Sequence, residues 1–133
     1  MKKFPPFKDG HIEIGAWGEK MSARFLKRNG YKILRTNVRC PCGEIDIIAK
    51  DHNDILVFIE VKTLSRLRHN NGQAIELRPE DNLTQAKLFK LRRACLFFAN
   101  QNPALAERGW RIDLLALTIS EKYCDVRHLK SIG

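Results

Sequence analysis

At 133 residues with 44% hydrophobic content, the chain has the size and apolar fraction of one compact domain, and a second domain is not expected. Its 24 Lys and Arg against 15 Asp and Glu leave a formal charge of +9. That balance favours polyanionic partners, nucleic acid first, although anionic membranes, ribosomal surfaces or plain solubility use the same surface. The longest apolar runs, Ile55 to Val61 and Leu114 to Ile119, fall far short of the ~20 residues of a membrane span, and Pro5 and Pro6 break any signal sequence behind Met1. The expectation is a cytoplasmic protein with no membrane association.

Residues 1–13 read as a Pro-rich lead-in and residues 14–133 as a single domain. Ile14, Trp17, Met21 and Phe25 recur at helical spacing, and Asn29-Gly30 supplies a stop, which predicts a first helix from Ile14 to Asn29. Three strands follow, Tyr31 to Val38, Gly43 to Lys50 and Ile55 to Lys62. The turn-rich joint Asp51-His52-Asn53-Asp54 makes the second and third of these an antiparallel hairpin. From Thr63 to Glu80 the chain is basic and loop-like, with no packed element. A second helix runs from Asp81 to Asn100, with Leu83, Leu88, Leu91, Cys95 and Phe98 on its apolar face and a basic opposite face; Asn102-Pro103 ends it. Trp110 to Ile119 gives a fourth strand, and a weaker edge strand lies around Tyr123 to His128. This order specifies an α/β domain with a single mixed sheet flanked by helices. The long connection through the second helix returns the chain parallel to an earlier strand.

The chemistry concentrates in Gly43-Glu44-Ile45-Asp46-Ile47-Ile48 and Phe58-Ile59-Glu60-Val61-Lys62. Strand alternation sends Glu60 and Lys62 to one face and Ile59 and Val61 to the other, and it sets Glu44 and Asp46 on a common face. Ions in apolar strands need a counter-ion or a metal, because desolvating them costs several kcal/mol. Asp46 and Glu60 are the natural ligands of Mg²⁺ or Mn²⁺, with the Val61 carbonyl as a further ligand. Lys62 positions a water or stabilises developing negative charge. The competing reading is an ordinary cross-strand ion pair of Lys62 with an acid. Cys40-Pro41-Cys42 lacks the second pair of ligands that structural zinc uses, and Cys95 and Cys124 stand alone, so reduced thiols are expected.

The segments Gly15-Ala16-Trp17-Gly18-Glu19, Gly30-Tyr31, Asn37-Val38-Arg39, Gly43 to Ala49, Val57 to Lys62 and Arg111-Ile112-Asp113 resemble the YraN-type family of small bacterial proteins over about Gly15 to Ala116. The resemblance implies the restriction-endonuclease-like fold of the PD-(D/E)XK nucleases, with helix, three strands, helix, strand, strand in that order. It implies Asp46, Glu60 and Lys62 as a catalytic trio and suggests Glu19, on the first helix, as an auxiliary acid. Two positions depart from the pattern: Ile45 stands where the superfamily has proline, and Leu64 stands where a basic residue usually follows Lys-Thr. Arg66 and Arg68 lie close enough to replace that phosphate contact.

Arg66, Arg68 and His69 of the basic loop, with Lys87, Lys90, Arg92 and Arg93 of the second helix, are the expected nucleic-acid contacts, although basic helix faces are often merely solvated. Arg111 and Asp113 read as a structural ion pair, and Trp17, Trp110, Phe97 and Phe98 as core. The expected activity is Mg²⁺- or Mn²⁺-dependent cleavage of phosphodiesters in DNA, more than RNA, including branched or structured DNA. A homodimer is expected if two strands are cut symmetrically. The alternative is a nucleic-acid-binding or accessory protein that keeps the fold without turnover.

Overall fold

The computed structural model describes residues 2–4, 14–65, 79–120 and 122–133. The apolar patterning of these residues builds an α/β fold on one mixed sheet. Its strands are β1 (Lys2–Phe4), β2 (Lys32–Cys40), β3 (Gly43–Lys50), β4 (Leu56–Ser65), β5 (Trp110–Ile119) and β6 (Cys124–Leu129), in the spatial order β1-β6-β5-β4-β3-β2. Helices α1 (Ile14–Arg28) and α2 (Gln85–Gln101) cover opposite faces, and a short 3-10 helix spans Pro79–Asn82. The order from α1 to β6 is the one the restriction-endonuclease-like resemblance implies. Among the described residues no helix is long and apolar enough to cross a membrane.

Helix α1 buries Trp17, Met21, Phe25 and Leu26 on one stripe, with the small Gly18 and Ser22 between them. It stops where expected, because Gly30 adopts φ 85° and lets the chain fold back. The Tyr31 N–H then donates to the Leu26 carbonyl at 3.0 Å and the Gly30 N–H to that of Lys27 at 3.2 Å, a Schellman closure. Helix α2 begins at Gln85, four residues later than expected. Thr84 accepts the Lys87 N–H at 3.2 Å as its N-cap, which leaves Leu83 outside the helix.

Strands β3 and β4 form the expected antiparallel hairpin, and α2 carries the chain over to β5, which lies parallel to β4. The Asp51 Oδ1 fixes the hairpin turn by accepting the N–H groups of Asn53 (2.8 Å) and Ile55 (3.0 Å). As the central parallel pair, β4 and β5 are buried on both sides, which explains their near-continuous apolar runs. On the α1 side the core holds Ile47, Val57, Ile59, Leu115 and Leu117; on the α2 side it holds Ile45, Ile48, Phe58 and Ile112. The Phe58 ring stands edge-on to both Phe98 and Trp110, at 5.8 and 5.5 Å.

Several expectations are corrected. The lead-in supplies β1, which pairs antiparallel with β6, so the last strand is not the edge. Strand β4 runs on to Ser65, because its pairing with β5 continues through Leu64↔Thr118 and Ser65↔Ile119, where a loop was expected from Thr63. Phe97 is 40% exposed, while its neighbour Phe98 is core, because successive helix positions point about 100° apart.

Arg111 and Asp113 are the structural pair expected of them, and they gather further partners. Asp113 is fully buried and accepts from Arg111 Nε at 3.0 Å, from the Ser131 N–H at 3.0 Å and from the His128 ring at 2.8 Å. Arg111 also donates to Asp51 at 2.7 Å and to the Tyr31 hydroxyl at 3.1 Å. A buried carboxylate is tolerable only when its oxygens are satisfied in this way. Burial opposes ionisation of Asp113, but these donors outweigh it and hold the carboxyl below its ordinary value.

Candidate active site

The β3–β4 ladder runs from Lys50↔Leu56 to Ile47↔Ile59 and ends there. Beyond it the strands part, and the side chain of Asp46 enters the gap: its Oδ2 accepts the Val61 backbone N–H at 2.8 Å, a donor that has lost its ladder partner on β3. This contact fixes the Asp46 carboxylate beside Glu60. Regular alternation fails at the same point, since Ile45 packs on the α2 side and Ile47, two residues on, packs on the α1 side. The common face expected for Glu44 and Asp46 therefore does not follow from a regular pleat, because the alternation breaks between Ile45 and Ile47.

On β4 the alternation holds. Ile59 and Val61 face the α1-side core, while Glu60 and Lys62 line a pocket of 230 Å³ on the α2 side, with Glu44, Lys87, Lys90 and Leu91 on its other walls. Lys62 Nζ lies 3.7 Å from Glu60 Oε1, and the two side chains are 24% and 17% exposed. Burial pushes the Glu60 carboxyl up to about 8, and the adjacent Asp46 charge adds to the rise, with Lys62 opposing.

Glu19 arrives from the opposite helix. Gly18 makes this possible: a Cβ there would collide with Thr63 Oγ1 of β4, so only glycine lets α1 press this closely on the strand. Partial burial, then the Asp46 charge, raises the Glu19 carboxyl, against a hydrogen bond with Asn37. Asn37 sits in β2 at φ 52°, a left-handed conformation that asparagine adopts more readily than most residues. Glu19, Asp46 and Glu60 thus interact electrostatically as one acidic site, with Glu44 adding to the repulsion at both Glu19 and Glu60.

The donor set suits a hard divalent cation. Asp46 and Glu60 offer carboxylate oxygens. The Val61 carbonyl leaves the strand on the same side as its N–H, toward the gap, as both groups of one residue do in an extended chain. Among the described residues no group of three or more His, Cys, Asp or Glu side chains lies close enough together to hold a metal ion. Two carboxylates and a carbonyl are the kind of partial oxygen set by which Mg²⁺, which keeps several waters, is commonly held.

Of the expected nucleic-acid contacts, Lys87 and Lys90 line the inner pocket, and Arg93 lines a wider groove beside it. Arg92 is exposed but lines neither. Arg66, Arg68 and His69 lie outside the described residues. Arg39 and Phe97 were not anticipated in the groove; nothing in the β2 pattern separates Arg39 from any other solvent-facing arginine.

The model of a family described as "Uncharacterised protein family UPF0102" matches residues 18–117. UPF0102 proteins of Roseiflexus castenholzii (40% identical, covering 80% of this chain and 79% of the relative), Caldicellulosiruptor saccharolyticus (40%, 90% and 95%) and Renibacterium salmoninarum (37%, 92% and 97%) are similar over most of their length. Among solved structures, SfsA of Pyrococcus furiosus in complex with Ca²⁺ aligns with a TM-score of 0.35 at 16% identity, over 87% of this chain and 61% of that chain. The matched span runs from Gly18, at the α1–β4 contact, to Leu117 on β5, and so includes Glu19, Asp46, Glu60 and Lys62. The chain belongs to the bacterial protein family UPF0102.

Proposed function

We propose that this protein is a metal-dependent endonuclease that hydrolyses phosphodiester bonds of DNA, branched or structured DNA included, in the cytoplasm. The observation that carries the reading is the approach of Asp46 and Glu60 where β3 and β4 part, with Lys62 two residues along the same strand face. Two carboxyls so close, with burial and the Asp46 charge pushing that of Glu60 up to about 8, form a poor structural element and a good cation site.

Asp46, Glu60 and the Val61 carbonyl would hold Mg²⁺ or Mn²⁺, which when bound polarises the phosphate and lowers the pKa of water. Lys62 faces the same pocket and supplies fixed positive charge for the oxygens on which negative charge builds. Glu19, on the far side of Asp46, orients that carboxylate or an associated water. Lys87 and Lys90 draw the polyanion into the pocket. A dimer would follow if two strands are cut symmetrically.

The observation that favours the non-catalytic alternative is the 3.7 Å approach of Lys62 to Glu60, which a structural ion pair would also produce. Incubation of the purified protein with single-stranded, duplex, flap and four-way junction DNA in Mg²⁺ or Mn²⁺, beside a Lys62→Ala control, tests the proposal. Products that need both metal and Lys62 support it. Binding without products under every condition favours the alternative.

A further inference from the structure

A second cavity, an open groove of 1020 Å³, joins the inner pocket, the two sharing Cys42, Gly43, Glu44 and Lys90. One wall is the β2–β3 turn, which seats closely on α2: a Cβ on Gly43 would lie 3.6 Å from Ala94 Cβ, and Cys40 Sγ approaches the Ala94 carbonyl at 3.7 Å. The other wall is a row on α2, Lys90, Arg93 and Phe97, spaced i, i+3 and i+7 and so presented along one side of the helix over ~10 Å. Arg39 adds a third cation. None of Arg39, Lys90 and Arg93 has an ion-pair partner among the described residues. Among the described residues that line the groove the one acid is Glu44, which lies where the groove meets the pocket.

Cations along a groove fit any nucleic-acid backbone. The 40% exposed Phe97 ring among them favours a strand whose bases are available for stacking, since a duplex keeps its base faces inside. Phe97 is the one aromatic ring among the described residues that line the groove, whereas its neighbour Phe98 belongs to the core. We propose that this groove takes an unpaired DNA strand, with phosphates on Arg39, Lys90 and Arg93 and a base on Phe97, and leads it toward Glu60 and Lys62. The proposal rests on the nucleic-acid reading above and names its substrate class as DNA with single-stranded segments.

The test is equilibrium binding by fluorescence anisotropy in EDTA, where no cleavage occurs. The probes are labelled oligothymidine, the same strand carrying abasic sites, and a blunt duplex. Wild-type protein should bind oligothymidine more tightly than duplex. Phe97→Ala should weaken oligothymidine binding roughly 5- to 150-fold, the range for losing one aromatic–base stack, while leaving duplex binding unchanged and the protein folded at the assay temperature. Phe97→Trp should retain affinity, and abasic strand should bind wild type as weakly as oligothymidine binds Phe97→Ala. Unchanged oligothymidine affinity in a folded Phe97→Ala protein, or an equal loss on duplex, overturns the unpaired-strand groove and leaves the nuclease reading standing. Failure of wild type to bind oligothymidine also overturns the unpaired-strand groove, while the nuclease reading is decided by the cleavage assay on flap and four-way junction DNA.

Discussion

Replacing Glu60 with glutamine should stabilise the metal-free protein at alkaline pH. In the unfolded chain this carboxyl ionises near its ordinary value of 4.5; in the native site it holds its proton up to about 8. The native state therefore binds more protons than the unfolded state between these values, and stability falls as pH rises through that window, with the full penalty above about pH 8. At 1.36 kcal/mol per tenfold change in proton affinity, the ceiling is about 5 kcal/mol. Relaxation of the partly exposed site and sharing of the proton with Asp46 reduce the expected effect to about 2 kcal/mol, or roughly 6 °C in melting temperature. The ion pair with Lys62 works in the opposite direction, but at 3.7 Å and with both groups partly wet it contributes about 1 kcal/mol or less, so burial together with the Asp46 charge outweighs it. Thermal denaturation in EDTA should show Glu60→Gln melting above wild type at pH 9 and near it at pH 5. Mg²⁺ should raise the melting temperature of wild type but not of the variant. A Glu60→Gln protein that melts below wild type at pH 9 would refute the reasoning, because Glu60 would then be a net stabilising partner of Lys62.

Gly18→Ala should cost about 2 kcal/mol by driving a methyl into Thr63 Oγ1, and the additional change Thr63→Ala should restore most of it in chemical denaturation. Asp113→Asn should cost about 3 kcal/mol, because Arg111 and His128 lose a buried partner. Asp113 and Asp51 both have carboxyls held below their ordinary value. Their contribution is present above pH ~4 and lost as pH falls through the depressed native values, so the Asn variant should show a shallower acid-unfolding profile. In DNA binding, Lys90→Gln and Arg93→Gln should each reduce the slope of log affinity against log salt by about one, whereas Arg92→Gln, whose side chain lines neither cavity, should leave the slope unaltered.

The sheet and the acidic site were legible because their signals are local. The Asp51 to Asp54 joint defines the β3–β4 hairpin, and the Glu-Val-Lys run of β4 keeps a strict two-residue period between two buried faces. What was not legible depends on contacts distant in sequence. Lys2–Phe4 carries no strand signal of its own and is a strand only because β6 offers an edge. Thr63 to Ser65 read as loop because the partner that extends β4, Leu117 to Ile119, lies beyond the second helix. The period-two rule does not carry through β3, because Ile45 and Ile47, two residues apart, pack on opposite sides of the sheet where Asp46 leaves the β3–β4 ladder. Helical spacing could have separated Phe97 from Phe98, since the row Leu91, Cys95, Phe98 excludes Phe97. The role of Gly18 needed the structure, as its requirement comes from Thr63 on another element.

The most direct test of the catalytic reading is the separation of binding from cleavage in Lys62→Ala. With Mg²⁺ or Mn²⁺ and a substrate that wild type cuts, the account predicts substrate affinity and metal-induced stabilisation close to wild type, and a cleavage rate lower by roughly a hundredfold or more, the scale for loss of a preorganised electrostatic group. A Lys62→Ala protein that melts at a lower temperature yet cleaves in proportion to its folded fraction would contradict it, and would make Lys62 the structural partner of Glu60.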